Sequence, residues 1–197
     1  MIEKNDLAQY LDTYSPEFRV IRSREAIKHI LRLNEALLKN ENRTLLPPLA
    51  AYLKLIEVGS GNGGVTLALL ALYPYGEIIA VDRDESEEKA RKSAKELGVP
   101  LETKDVLYLS DREGTELFSQ GEIVYALRTS VLVAAHLLKN LQTWGFSGDL
   151  VFSYILESER ESADLSSIQA KAQSHEILIQ PLIEQRGLNE IGYVCRI

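Results

Sequence analysis

Four glycines in six residues, Gly59, Gly61, Gly63 and Gly64, follow the apolar run Leu55-Ile56-Glu57-Val58 and precede a helical pattern. Glycine lets another group approach the main chain, or lets φ turn positive, at the expense of backbone entropy. A strand, a glycine turn and a helix start together aim bare N–H groups and the positive end of a helix dipole at one point, which suits an anion or a polar cofactor. Two acids complete the pattern: Glu57 ends the first strand, and Asp82 ends the second some 20 residues on. Read as G-x-G-x-x-G through Gly59, Gly61 and Gly64, with Asp82 to follow, the pattern is the dinucleotide fingerprint of an NAD-linked enzyme. Read as Glu57-x-Gly59-x-Gly61-x-Gly63, it is a cofactor loop of a second class. The glycines alone do not choose between them.

The elements around the loop narrow the choice. Residues 1–48 read as a helical N-terminal extension on the lid and substrate side: in SREAIKHILRLNEALLKN the apolar Ile27, Ile30, Leu31, Leu37 and Leu38 recur at helical spacing, with Ser23 as a helix cap. Ser15 and Pro16 suit the cap and first turn of an earlier helix start. Asn34 falls in the apolar stripe, so it either bonds to backbone inside the fold or faces a ligand cavity. Pro47 and Pro48 end this unit. Strands then read at YLKLIEV, EIIAVD, LETKD, EIVYAL and DLVFSYIL, alternating with helices at GVTLALLALY, ESEEKARKSAKEL, DREGTELF and TSVLVAAHLLKNLQTW. That alternation predicts a mostly parallel sheet covered on both faces, an α/β three-layer sandwich. After a helix near 164–173, HEILIQPLIEQ and NEIGYVCRI are joined by a link too short for a crossover helix, so the seven-stranded sheet closes with an antiparallel hairpin.

Composition bounds the partners. The chain of 197 residues is 45% apolar, enough for one full core, and its net charge of −7 disfavours broad attraction to phosphate backbones. From Glu17 to Arg43, however, seven Lys or Arg stand against four Glu, which offers RNA a local basic helix. The single cysteine, Cys195, excludes an intramolecular disulfide and a cysteine-rich zinc site, and no metal site is expected. Neither a signal peptide nor a membrane span is legible, so a cytoplasmic protein with no membrane partner is the expectation.

With the loop starting near residue 59, only about 135 residues remain, and the sheet uses nearly all of them. An NAD-linked enzyme would lack room for a substrate domain, and Glu57 would have no role. From about Leu53 to the C-terminus the chain instead resembles the class I S-adenosylmethionine-dependent methyltransferases, through Glu57-x-Gly59-x-Gly61-x-Gly63, Asp82, Asp105 after the third strand and the terminal hairpin. The resemblance implies that residues 49–197 form the S-adenosylmethionine-binding domain. It implies that Gly59, Gly61 and Gly63 lie against the methionine portion of the cofactor and that Asp82 accepts hydrogen bonds from both ribose hydroxyls. Arg83 then flanks the adenine, Asp105 with the N–H of Val106 reads its edge, and Glu57 acts through water or backbone on the loop and the cofactor ammonium.

The same resemblance thins out at the chemistry. The end of the fourth strand reads YALRTS, without the Asn-Pro-Pro-Tyr signature of amine methylation, without the acid of the metal-dependent catechol-type enzymes, and without a nucleophilic cysteine. Arg128 stands there instead, suited to anchor a substrate carboxylate or phosphate, or to pair with an internal acid such as Glu157 or Glu159. The histidines are weak bases on paper: His29 sits among Lys28 and Arg32, His136 on a polar stripe expected to face solvent, and His175 at the start of a late strand. Tyr10 and Tyr14 are lid candidates. A methyltransferase for a small, anionic molecule or an RNA is the leading expectation, with a catalytically silent methyltransferase-like binding or scaffold protein as the alternative.

Overall fold

A computed structural model describes residues 15–40, 42–48, 50–83, 87–156, 177–185 and 188–197. Tyr10, Tyr14, Glu157, Glu159, His175 and the helix expected at 164–173 lie outside them. The elements are α1 (Pro16–Asn40), β1 (Lys54–Val58), α2 (Gly64–Leu72), β2 (Glu77–Asp82), α3 (Glu87–Leu97) and β3 (Leu101–Thr103). They continue with a 3-10 turn (Val106–Tyr108), α4 (Asp111–Phe118), β4 (Ile123–Leu127), α5 (Val131–Asn140), β5 (Asp149–Leu156), β6 (Ile177–Gln185) and β7 (Leu188–Arg196). One mixed sheet runs β3-β2-β1-β4-β5-β7-β6. Parallel pairing joins β1 to β2 and β4, β2 to β3, and β4 to β5, while β7 runs antiparallel to both β5 and β6. The chain order reverses at β1, with β2 on one side and β4 on the other, so the loops after β1 and β4 part and leave a crevice at the strand carboxyl ends.

β1, β2, β4, β5 and β7 divide side chains between two cores, as the two-residue period requires. Leu55, Tyr125, Val151 and Val194 join Ala26, Ile30, Leu33 and Leu37 of α1 and Leu69 of α2 on one face. Ile56, Val124, Phe152 and Tyr193 join Phe118 of α4, Leu137 of α5 and Trp144 on the other. The almost wholly apolar α2 is explained by this arrangement, since it meets the sheet on one side and α1 on the other. Residues of the expected N-terminal extension thus share a core with the sheet.

The reading of α1 needs three corrections. Ser15, not Ser23, caps the helix: its Oγ accepts a hydrogen bond from the N–H of Phe18 at 3.2 Å, Pro16 follows at the first helical position, and Ser23 is buried mid-helix. The buried stripe is Ala26, Ile30, Leu33 and Leu37, while Leu31 and Leu38 are exposed. The basic face is smaller than the composition suggested, because Arg19 pairs with Glu96, Arg22 with Glu25 and Arg43 with Asp149. Asn34 takes the structural branch of its two readings: its amide donates to the Ile30 carbonyl at 2.9 Å, and its Oδ1 accepts from the N–H of Leu45 at 2.7 Å, fixing the turn after α1.

Candidate functional site

The crevice at the sheet's reversal holds two cavities that share Gly59 and Arg128 as walls. One, about 270 Å³, lies over the ends of β2 and β3 and is lined by Val58, Asp82, Arg83, Asp105, Val106 and Thr129 among others. The other, about 320 Å³, lies under α1 and is lined by Phe18, Arg22, Glu25, His29, Gly61 and Leu127 among others.

The glycine loop divides its labour between them. Gly59 and Gly61 have φ of 80° and 49°, the left-handed region that glycine alone enters without strain. A Cβ on Gly61 would find no atom nearer than the Gly59 carbonyl oxygen at 3.9 Å, so that position faces the cavity. Gly63 and Gly64 look the other way: a Cβ on Gly63 would lie 2.9 Å from Leu97 Cδ1, and one on Gly64 would lie 2.5 Å from Arg22 Cβ. Their bareness admits α1 and α3 against the loop, and Gly63 lines neither cavity. Arg19 secures this packing from α1, donating from Nε to the Asn62 carbonyl at 2.8 Å and from Nη2 to Ser93 Oγ at 3.1 Å.

Asp82 stands at the end of β2 and lines the β2/β3 cavity, and it also ties down the glycine loop. Its Oδ2 accepts the N–H of Gly61 at 2.5 Å and its Oδ1 that of Arg83 at 2.8 Å. Asp105 lines the same cavity and caps the 3-10 turn by accepting the N–H of Leu107 at 3.0 Å. Val106 beside it is buried, and Arg83 is exposed at the rim.

Glu57 lies beneath the loop, on the α2 face of β1. It is 1% exposed; Oε2 accepts the hydroxyl of Thr66 at 2.5 Å, and Oε1 is buried without a hydrogen-bond partner. Burial pushes its carboxyl up to about 7, the Thr66 hydrogen bond opposes that shift and the Asp82 charge adds to it.

Arg128 directly follows β4 and carries a φ of 57°, unusual for a residue with a Cβ. Its N–H donates to Ser153 Oγ at 3.0 Å, and the turn directs the side chain to the boundary between the cavities. Among the described residues its ion-pair partner is Glu25 of α1, while Glu157 and Glu159 lie outside them. Nη1 donates to Glu25 Oε2 of α1 at 2.9 Å, and Arg22 Nη1 reaches the same oxygen at 3.0 Å.

His29, expected on a charged face, is 2% exposed and lines the α1 cavity. The missed signal is its place in the stripe Ala26, His29, Ile30 and Leu33, which outweighs its charged neighbours in sequence. His136 is also not where its polar stripe suggested: it is half-buried, its ring lies 5.7 Å from that of Trp144, and burial lowers its pKa.

No family model matches the sequence, and no curated protein does. Solved structures do match. Fibrillarin in a fibrillarin/Nop5p complex superposes with a TM-score of 0.60 at 15% identity, over 84% of this chain and 81% of that one. Aeropyrum pernix fibrillarin, with natively bound S-adenosyl-L-methionine, gives 0.57 at 15% identity over 82% and 74%. The N-terminal domain of EvdMO1, with S-adenosylhomocysteine bound, gives 0.55 at 18% identity over 87% and 80%. The chain has the fold of the class I S-adenosylmethionine-dependent methyltransferases.

Proposed function

We propose that the chain is an S-adenosylmethionine-dependent methyltransferase acting on a small, anionic acceptor. The observation that carries this reading is the pair of cavities meeting at Gly59 and Arg128, one with carboxylates at two strand ends and the other closed over by α1. The residues present fit S-adenosylmethionine on two counts. Gly61 leaves open space where a Cβ would intrude, and the carboxylates of Asp82 and Asp105 line the β2/β3 cavity, where they can accept hydrogen bonds from a polar ligand.

In this reading Asp82 accepts the ribose hydroxyls, Asp105 and the N–H of Val106 read the adenine edge, and Arg83 flanks the ring. Gly59 and Gly61 lie against the methionine portion, while Gly63 serves by letting the loop hold its shape against α3. The cofactor supplies a methyl group on a positive sulfur, so the chain's task is to align an acceptor in line with it and to accept any proton released. His29 is suited to take that proton, being the histidine among the described residues that lines the α1 cavity. Phe18, Ala26, Val65 and Leu127 exclude water from the same cavity. Tyr14 would close over it as a lid from the segment preceding α1.

A small acceptor is favoured over RNA by the use made of the nearby cations, since Arg19 and Arg22 of α1, and Arg43 just after it, are turned to the chain's own acids. The test is a transfer survey with methyl-labelled cofactor against metabolite and RNA pools. Label should enter a metabolite, with far less entering in Asp82→Ala. Label in RNA alone would contradict the small-acceptor reading, and cofactor binding without transfer to either pool would support the silent-binding alternative.

A further inference from the structure

α1 carries two apolar stripes, and the fold of one chain buries only one of them. Ala26, Ile30, Leu33 and Leu37 are covered, while Val20, Leu31 and Leu38 are exposed, three of the seven large apolar side chains exposed among the described residues. Such a concentration on one helix face differs from the scattered apolar residues of an ordinary surface. Half-buried Ile27 completes the second stripe. Its spacing is symmetric: Val20 lies seven residues before Ile27, and Leu38 seven after Leu31. A two-fold axis midway between Ile27 and Leu31 therefore lays α1 antiparallel on a copy of itself, with each Val20 against the copy's Leu38 and each Ile27 against the copy's Leu31. The charges beside the stripe obey the same axis. Arg24 falls within one residue of the copy's Glu35, and Glu17 within two of the copy's Lys39. All four are exposed, and none forms an ion pair among the described residues. Lys28 would stand near its own copy at the axis, which opposes the pairing, although its flexible stem lets the ammonium swing to water.

We infer that this face of α1 joins two copies of the chain as an antiparallel helix pair about a two-fold axis. From Val20 to Leu38 the seam is about 27 Å long, at 1.5 Å of rise per residue. One helix face is small beside the specific class of interfaces, so the dimer should dissociate with a constant on the order of 10 μM. Arg22 and His29, which line the α1 cavity, each stand two residues from a member of the stripe and so point to the opposite side of the helix. The seam thus leaves the cavity of each copy open and backs the helix that walls it. Neither the face nor its symmetry depends on which cofactor the chain binds.

Sedimentation equilibrium of the full chain tests the pairing. At about 100 μM, well above the expected constant, the mass should approach twice the 22.1 kDa of one chain and fall towards it on dilution. Leu31→Glu puts a charge into the seam from each copy, and because Leu31 is exposed the variant should keep its circular dichroism spectrum while remaining a monomer. Arg24→Glu and Glu35→Arg each bring like charges together, twice over by symmetry, and each should weaken the dimer about tenfold. Combining the two exchanges should restore wild-type affinity, a rescue that only the antiparallel register provides. Wild-type chain that stays monomeric at the same concentration, whether or not it binds vesicles of anionic lipid, overturns the pairing. So does a dimer that survives Leu31→Glu, or a double exchange that fails to rescue the single ones.

Discussion

The β2/β3 cavity and the α1 cavity meet at the same glycine and the same arginine, yet they are built in different ways. The first takes its polar groups from a strand end and the residues just past another, Asp82 paired in register at the end of β2 and Asp105 and Val106 in the turn that follows β3. The second depends on α1, whose Arg22, Glu25 and His29 arrive from outside the β-α alternation and are set by helix packing. A site made by strand ends is fixed by local sequence order, whereas a site made by a packed helix is fixed by tertiary contacts.

The glycine loop offers the sharpest way to break this comparison, because its two halves face different things. Gly61→Val places a side chain in the open space of the α1 cavity at a φ of 49°. Affinity for S-adenosylhomocysteine, measured per folded molecule because a β-branched residue at positive φ also lowers stability, should fall by about 3 kcal/mol, roughly a hundredfold. Unaltered affinity would mean that the loop does not contact the ligand. Asp82→Ala should follow, with a loss of roughly 1.5 to 3 kcal/mol in the same titration. If Asp82 serves only to hold the N–H of Gly61, stability falls and affinity per folded molecule does not.

Gly64→Ala should do the reverse of Gly61→Val. Its Cβ would meet Arg22 Cβ at 2.5 Å, so denaturant unfolding should show a loss of about 2 kcal/mol. Binding by the folded fraction should change little. A variant as stable as wild type would show that α1 is not packed against the loop as described.

A pH dependence should come from Glu57, buried on β1 ahead of the glycine loop. Glu57 has its carboxyl raised from 4.5 to about 7 in the folded state. Between those values the folded chain holds a proton that the unfolded chain has released, so stability is greatest below the lower value, declines as pH rises through the window, and levels off above the upper one. The slope should be on the order of 1 kcal/mol per pH unit inside the window. It should vanish in Glu57→Gln, measured by denaturant unfolding from pH 5 to 8. A slope that survives this substitution belongs to another group.

Much of the fold was legible in the sequence because its signals are local. The runs EIIAVD, DREGTELF and DLVFSYIL became β2 from Glu77, α4 from Asp111 and β5 from Asp149 with the expected bounds, and the short link before Leu188 gave the antiparallel hairpin. The strand-end acids were legible for the same reason. The α1 cavity was not. Ser23 was read as a cap because the apolar period strengthens after it, although Ser15 and Pro16 had already started the helix. His29 was assigned to a charged face from its sequence neighbours, while its three- and four-residue spacing to Ala26 and Leu33 places it inward. Sequence spacing carries no sign of the meeting of Glu25 with Arg128, which only the folded chain creates.

Titration of the wild-type chain with S-adenosylhomocysteine and with NADH tests whether the two cavities together hold S-adenosylmethionine. Saturable one-to-one binding of S-adenosylhomocysteine, with none of NADH, is the predicted result. Binding of NADH in its place, or of neither ligand to folded protein, would contradict it.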